Sequence, residues 1–168
     1  MRPDVSRVAS FYHTYINLVP EEELMQAFTV HTERINNLID TVPPEKYDFR
    51  YAPEKWTIKD VLQHLIDAER VFSYRALCFA RKSTTALPGF DENLFADNSR
   101  AHTRPWSQLV EEFRLVRASS VLLFGSFNEE QSECSGIANG SPTYVLALGY
   151  TLLGHVTHHC RILQERYL

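Results

Sequence analysis

Two histidines late in the chain are the residues whose type and spacing most clearly indicate chemistry. His155 and His159 are four positions apart, so in a helix their imidazole rings would lie on one face and could share a metal ion. The remaining members of the same helical stripe are apolar: Val145, Leu148, Leu152 and Ile162. Buried imidazoles without polar partners are costly, and one cation would supply a partner to both. The spacing therefore predicts a metal site inside the protein.

Such a site needs at least one further ligand. His64 is the preferred third ligand, because it borders the apolar face of an earlier predicted helix. His31 is its rival, since it lies on the apolar stripe of the first predicted helix. His158 is an alternative partner for His155 at a spacing of three, but its own stripe is more polar. We interpret His158 as a surface residue or a neighbour of the site.

Three imidazole ligands would leave coordination positions open on zinc or nickel. A water molecule bound there has its pKa lowered to about 7 and can hydrolyse a small ester or amide. Alternatively, a thiol binds there and loses its proton, which yields the reactive thiolate. A non-enzymatic metal site is a third alternative, in which His31 or Glu69 would fill the last position. Imidazole also suits copper and iron, so the donor type does not identify the metal.

Several charged residues are candidates for roles beside the metal. Asp67 can orient a ligand or take a proton, or it is a solvated helix carboxylate. Arg75 and Arg117 fall near the inner faces of their helices and can hold a carboxylate of a thiol cofactor; the alternative is a structural ion pair. Asp91 and Glu92 can line the mouth of a pocket or simply form a turn.

Four segments carry the apolar periodicity of amphipathic helices, at about residues 20–40, 57–81, 107–127 and 142–167. Pro20 suits a first helical position, and three glutamates follow it at the positive end of the helix dipole. Thr57 with Asp60 resembles a capping box. Ser141 and Pro142 form a cap followed by a first-turn proline.

The segments between these helices complete the predicted architecture. The connection from about residue 82 to 105 is long, and it is predicted to be a loop that crosses one end of the bundle. Aromatic residues within the first 19 positions indicate a short extra helix. The sequence therefore predicts an all-α fold, a four-helix bundle with one long crossover loop and a short N-terminal helix.

Composition limits the range of functions. The chain has 168 residues and is predicted to form a single domain, residues 1–168. Its net charge of -4 argues against a general nucleic-acid binder, which would show a basic face. No apolar run is long enough to span a membrane, and the first residues lack the features of a secretory signal, so we expect a cytoplasmic protein. Three distant cysteines predict neither a disulfide framework nor a thiolate zinc site.

Four stretches of the sequence resemble the DinB-like superfamily. Residues 55–70, KWTIKDVLQHLIDAER, are similar to the second-helix signature of that superfamily. Residues 154–159, GHVTHH, are similar to its last-helix motif G-H-x-x-H-H. Residues 87–93, LPGFDEN, and residues 15–20, YINLVP, resemble one of its branches. Together these stretches extend over nearly the whole chain.

This resemblance implies a four-helix bundle that binds one divalent metal ion through three histidines. Carried over residue by residue, the ligands are His64, His155 and His159. Characterised relatives include transferases that join low-molecular-weight thiols, such as bacillithiol or mycothiol, to electrophiles; other members are described as metal-dependent hydrolases. The resemblance also implies a homodimer and a small-molecule substrate.

Overall fold

Four long helices form the body of the computed structural model, which describes residues 1–168: α2 (Leu24–Thr41), α3 (Ile58–Ala80), α5 (Trp106–Gly125) and α7 (Val145–Arg166). Three shorter helices accompany them, α1 (Ser10–Ile16), α4 (Glu92–Ser99) and α6 (Glu129–Glu133). The predicted four-helix bundle and the short N-terminal helix are confirmed. No helix combines the length and the apolar character that a bilayer span would require.

The start of α3 is fixed by the capping box that the sequence predicts. Oγ1 of Thr57 accepts a hydrogen bond from the Asp60 N–H at 3.1 Å, and Asp60 accepts one from the Thr57 N–H at 2.9 Å. These reciprocal bonds satisfy N–H groups that the first turn of a helix leaves free. They fix the residue at which α3 begins, and His64 lies on the buried side of this helix.

The first long helix begins later than the predicted residue 20. Glu21 lies outside α2 because its backbone carbonyl accepts a hydrogen bond from the Tyr150 hydroxyl at 2.9 Å. Its carboxylate lies 3.0 Å from the imidazole of His31. The contact with Tyr150 of α7 therefore holds Glu21 outside the helix, and α2 starts at Leu24.

The prediction that the last helix starts at about residue 142 was wrong. Pro142 lies in a hairpin of two antiparallel strands, β1 (Ser135–Ala138) and β2 (Ser141–Tyr144). The two residues between the strands have positive φ, 52° at Asn139 and 71° at Gly140. Positive φ at both positions is what a two-residue type I′ hairpin turn requires, and Asn-Gly is its preferred sequence.

The crossover between α3 and α5 contains structure that the sequence analysis treated as a loop. It includes α4, whose first turn is capped by the Asp91 carboxylate, which accepts hydrogen bonds from two backbone N–H groups at 3.0 Å. Leu87, earlier in the crossover, pairs with the hairpin in a parallel bridge to Ala138. The crossover and the hairpin thus form one continuous wall beside the bundle.

Glycine at position 154 allows α1 to lie directly on α7. A Cβ atom at Gly154 would come within 2.0 Å of the Tyr15 carbonyl oxygen, closer than any side-chain carbon can approach. This contact places the end of α1 next to the histidines of α7, with the rings of Tyr15 and His155 5.5 Å apart between centroids.

Candidate metal centre

The imidazoles of His64, His155 and His159 converge between α3 and α7. One ring nitrogen from each lies within 4.8 Å of the others. The shortest approach is 2.9 Å, between Nε2 of His64 and Nε2 of His155. A tetrahedral ion with metal–nitrogen bonds of about 2.1 Å separates its ligand nitrogens by roughly 3.4 Å. The nitrogen–nitrogen distances in the cluster, from 2.9 Å up to 4.8 Å, include that value.

Two helices are sufficient to assemble this cluster. His155 and His159 are one turn apart on α7, so their rings lie on the same face, edge to face, with centroids 4.7 Å apart. His64 approaches both from α3, with centroids 4.8 Å from His155 and 5.0 Å from His159. Aromatic side chains enclose the group: the Trp56 ring lies 4.8 Å from His64 and the Phe72 ring 6.0 Å from His155.

Burial keeps all three imidazoles neutral. It lowers the pKa of His64 to about 4 and that of His159 to about 3, and it lowers the pKa of His155 well below its ordinary value. Neutral imidazole is the form that binds metal ions. Nδ1 of His159 is buried and has no hydrogen-bond partner, which is costly in a folded protein. This donor set fits a divalent ion.

No fourth protein ligand joins the cluster. His31, the rival ligand, is engaged elsewhere, with Nε2 3.0 Å from the Glu21 carboxylate and Nδ1 2.6 Å from the Thr157 hydroxyl. Glu69 is also engaged, because both of its carboxylate oxygens accept hydrogen bonds from Arg117, at 2.7 and 2.8 Å. An ion on the three histidines would therefore keep an open coordination position.

The cluster lies on the wall of a cavity of about 430 Å³, a size suited to small molecules. Aromatic rings make up much of the remaining wall: Phe11, Tyr12, Tyr15, Trp56, Phe72 and Phe90. None of these six residues is among those that the sequence predicts for the site. They come from α1, α3, the residues just before α3 and the crossover just before α4, so only the tertiary fold brings them together.

A family model of the DinB superfamily matches residues 27–163. The chain belongs to the DinB superfamily. The resemblance seen in the sequence motifs is thereby confirmed. All three clustered histidines lie within the matched residues.

A solved structure shares the fold of this DinB superfamily member. It is YfiT from Bacillus subtilis, described as a probable metal-dependent hydrolase with an unusual four-helix bundle topology. The match covers 89% of this chain and 95% of YfiT, with a TM-score of 0.75 and 16% sequence identity. At that identity the likeness establishes the fold alone. No curated protein matches the chain significantly by sequence.

The other predicted site residues of this DinB superfamily protein fall in different places. Arg75, His158 and Glu92 line the cavity. Asp67 does not; it accepts a hydrogen bond from the Gln63 side chain at 3.0 Å, and burial raises its pKa. Of the two alternatives for Asp67, a role beside the metal and a helix carboxylate away from it, this position favours the second.

Arg117, for which the sequence left a cofactor carboxylate and a structural ion pair as alternatives, does not line the cavity. Its side chain is 2% exposed and pairs with Glu69, so it forms the structural ion pair that was the stated alternative. Asn139 is a further cavity residue that the sequence analysis missed. The Asn139-Gly140 dipeptide was the available signal, because it predicts a hairpin turn at this position.

Proposed function

We propose that this protein is a metal-dependent transferase that activates a low-molecular-weight thiol. One divalent ion, zinc or nickel, would be held by His64, His155 and His159. The observation that carries the proposal is the convergence of three neutral imidazole nitrogens, without a fourth protein ligand, on the wall of a cavity. A divalent ion at such a site lowers the pKa of a thiol, so that the reactive thiolate forms near neutral pH.

The protein's own residues bind the substrates and exclude water. The rings of Trp56 and Phe72 pack against His64 and His155, which makes the surroundings of the cluster apolar. In the reaction, the sulfur forms a bond to a carbon of the electrophile. The leaving group departs with the bonding electrons of that carbon, and the thiol proton passes to solvent.

The shortage of carboxylates favours a thiol over water as the nucleophile. Glu92 is the only acidic side chain that lines the cavity, and it is exposed at its edge. Hydrolysis of an ester or amide is helped by a general base next to the attacking water. Attack of a thiolate on an alkyl or aryl halide expels a halide ion, which needs no proton, whereas the alcohol or amine that leaves an ester or amide is helped by a proton donor.

A metal-dependent hydrolase is the second candidate. It is supported by the shared fold of YfiT, which is described as a probable enzyme of that class. The two candidates differ in one requirement, because only the transferase needs a thiol.

The test uses protein purified without added metal and then loaded with zinc or nickel. Cysteine, bacillithiol and mycothiol are offered with a chromogenic aryl halide, and conjugation is followed by absorbance. We expect catalysis that is lost in His155→Ala and retained in His158→Ala, the matched control on the same helix. Absence of turnover with every thiol at full metal loading would reject the transferase. Hydrolysis of p-nitrophenyl acetate without thiol, lost in His155→Ala, would establish the hydrolase.

The homodimer stays a prediction, for analytical ultracentrifugation to test.

A further inference from the structure

Arg75 carries a buried positive charge that has no acidic partner. Its residue is 3% exposed, and no carboxylate oxygen of the protein lies within 4.0 Å of its guanidinium. Its one hydrogen bond within the protein runs from Nη2 to the backbone carbonyl of Pro88, at 2.8 Å. A guanidinium has five N–H donors, so most of the donors of Arg75 have no partner in the protein.

The contrast with Arg117 shows that this bundle can neutralise a buried arginine. Arg117 is equally buried, and it donates two hydrogen bonds to Glu69 and one to Thr32. An unpaired buried charge is costly, whereas a paired one is tolerated. Arg75 differs in that it lines the cavity, where a ligand can supply the missing negative charge.

The side chain of Arg75 lies within reach of a small molecule bound at the histidines. Side chains on a helix lean towards its N-terminus, and for Arg75 that is the direction of His64. The guanidinium carbon is 5.9 Å from the Phe72 ring centroid, which is 6.0 Å from that of His155; these distances limit the separation of Arg75 from His155 to about 12 Å. A molecule of a few bonds can bridge this gap.

Tyr12 adds a second donor at the same wall. Its side chain is 1% exposed and lines the cavity, and its hydroxyl makes no hydrogen bond within the protein. Burial raises the pKa of Tyr12, and the positive charge of Arg75 opposes that rise, so the two groups are close enough to interact. The neutral hydroxyl can donate to an anion that also binds the guanidinium.

We propose that Arg75 and Tyr12 form an anion site that binds a carboxylate group of the substrate. The substrate class is a small carboxylic acid, whose other end carries the thiol or the electrophilic carbon. This assignment of the other end rests on the proposed function, whereas the anion site itself does not. A carboxylate fits better than a phosphate dianion, because the single charge of Arg75 balances it and Glu92 lines the same cavity.

The first experiment tests the anion site without any metal. The Nε–H resonance of Arg75, identified by its loss in Arg75→Gln, is followed by NMR while propionate, propionamide or inorganic phosphate is added. We expect propionate to shift it and propionamide to leave it unchanged. No shift with propionate, or a stronger effect of phosphate than of propionate, would overturn the proposal. Arg81→Gln, at the exposed end of α3, is the matched control and should behave as the wild type.

The second experiment links the anion site to the histidines. The cobalt-substituted protein is titrated with 3-mercaptopropionate and 2-mercaptoethanol, and the cobalt absorption reports binding of sulfur. We expect the carboxylate-bearing thiol to bind at least about tenfold more tightly. Arg75→Gln should remove this preference while leaving 2-mercaptoethanol unchanged. Arg75→Lys keeps the positive charge but loses the planar guanidinium, so it should retain part of the preference for the carboxylate-bearing thiol. It replaces Arg75→Gln in this experiment if that variant does not fold.

The outcomes separate the two proposals. If propionate shifts the Arg75 resonance but neither thiol changes the cobalt spectrum, thiol activation is wrong and the anion site stands. If both thiols bind cobalt with equal affinity and propionate has no effect, the anion site is wrong and thiol activation stands.

Discussion

Nε2 of His64 lies 2.9 Å from Nε2 of His155, although 91 positions separate the two residues in the chain. The contact joins α3 to α7, and it exists only when those helices are packed in their native register. A metal site of this kind is absent from the unfolded chain, so metal binding stabilises the folded state.

Removing any one of the three clustered histidines should abolish stoichiometric metal binding. We expect about one ion per chain in the wild type and little in His64→Ala, His155→Ala or His159→Ala, measured by plasma emission spectroscopy after gel filtration. Zinc at about 100 times its Kd should also stabilise the wild type by about 2.7 kcal/mol, measured by urea unfolding.

His158→Ala provides the control for these substitutions, because His158 lines the same cavity but does not belong to the cluster. It should keep the metal content of the wild type. Equal metal content in all four variants would remove the proposed site.

The metal-free protein should lose stability as the pH falls from about 6.5 towards 4. Burial lowers the pKa of His64 to about 4 and that of His159 to about 3, so the unfolded chain binds more protons than the folded one in this range. Each such histidine contributes a slope of up to about 1.4 kcal/mol per pH unit. At pH 7 and above both states are neutral, and the penalty disappears.

Urea unfolding at pH 7, 6 and 5 measures this slope. His159→Gln should have a shallower slope than the wild type, and the difference isolates this histidine from groups such as Asp67. The pKa of Asp67 is raised by burial, so its effect has the opposite sign. Parallel curves for the two proteins would show that His159 titrates normally in the folded state.

Gly154→Ala should destabilise the protein by about 1–3 kcal/mol, because the new methyl group meets the backbone carbonyl of Tyr15. Gly125→Ala is the matched control, since a Cβ there meets only the flexible end of Met25, at 3.3 Å. Thermal unfolding compares the two variants. A melting temperature for Gly154→Ala that equals that of Gly125→Ala would show that α1 does not pack as described.

Glu69→Gln should cost about 3–5 kcal/mol, because it leaves the Arg117 guanidinium buried without its counter-charge. Asp40→Asn is the comparison, because Asp40 pairs with Arg114, which lies on α5 as Arg117 does, but in an exposed ion pair. This substitution should lower the free energy of unfolding by at most about 1 kcal/mol. Chemical denaturation measures both. Similar losses in the two variants would contradict the distinction between the buried and the exposed pair.

Much of this fold could be predicted from the sequence, because helical periodicity and capping residues act locally. The capping box of Thr57 and Asp60 fixes the start of α3. The apolar stripe of α7 predicts that His155 faces the core, without any knowledge of which helix packs against it. Periodicity made His64 the preferred third ligand but left His31 as its rival, since periodicity gives the face of a helix and not its neighbour; the family resemblance favoured His64.

Features that depend on distant contacts could not be predicted in this way. Glu21 is held outside α2 by Tyr150, and this contact overrides the helix-start signal of Pro20. Ser141 and Pro142 form a helix-start pattern, but the Asn139-Gly140 turn and the pairing with β1 win over it. The lack of an acidic partner for Arg75 likewise cannot be predicted from the sequence, because it depends on which side chains the fold places near the guanidinium.

The side chain of Asn139 occupies the space beside Gly89, where an added Cβ would come within 2.1 Å of its amide oxygen. These two residues belong to the crossover and the hairpin, which the bridge between Leu87 and Ala138 joins into one wall. A side chain at position 89 can therefore be accommodated only if the amide of Asn139, which lines the cavity, swings away. A substitution in the crossover would in this way change the shape of the cavity, although residue 89 itself does not line it.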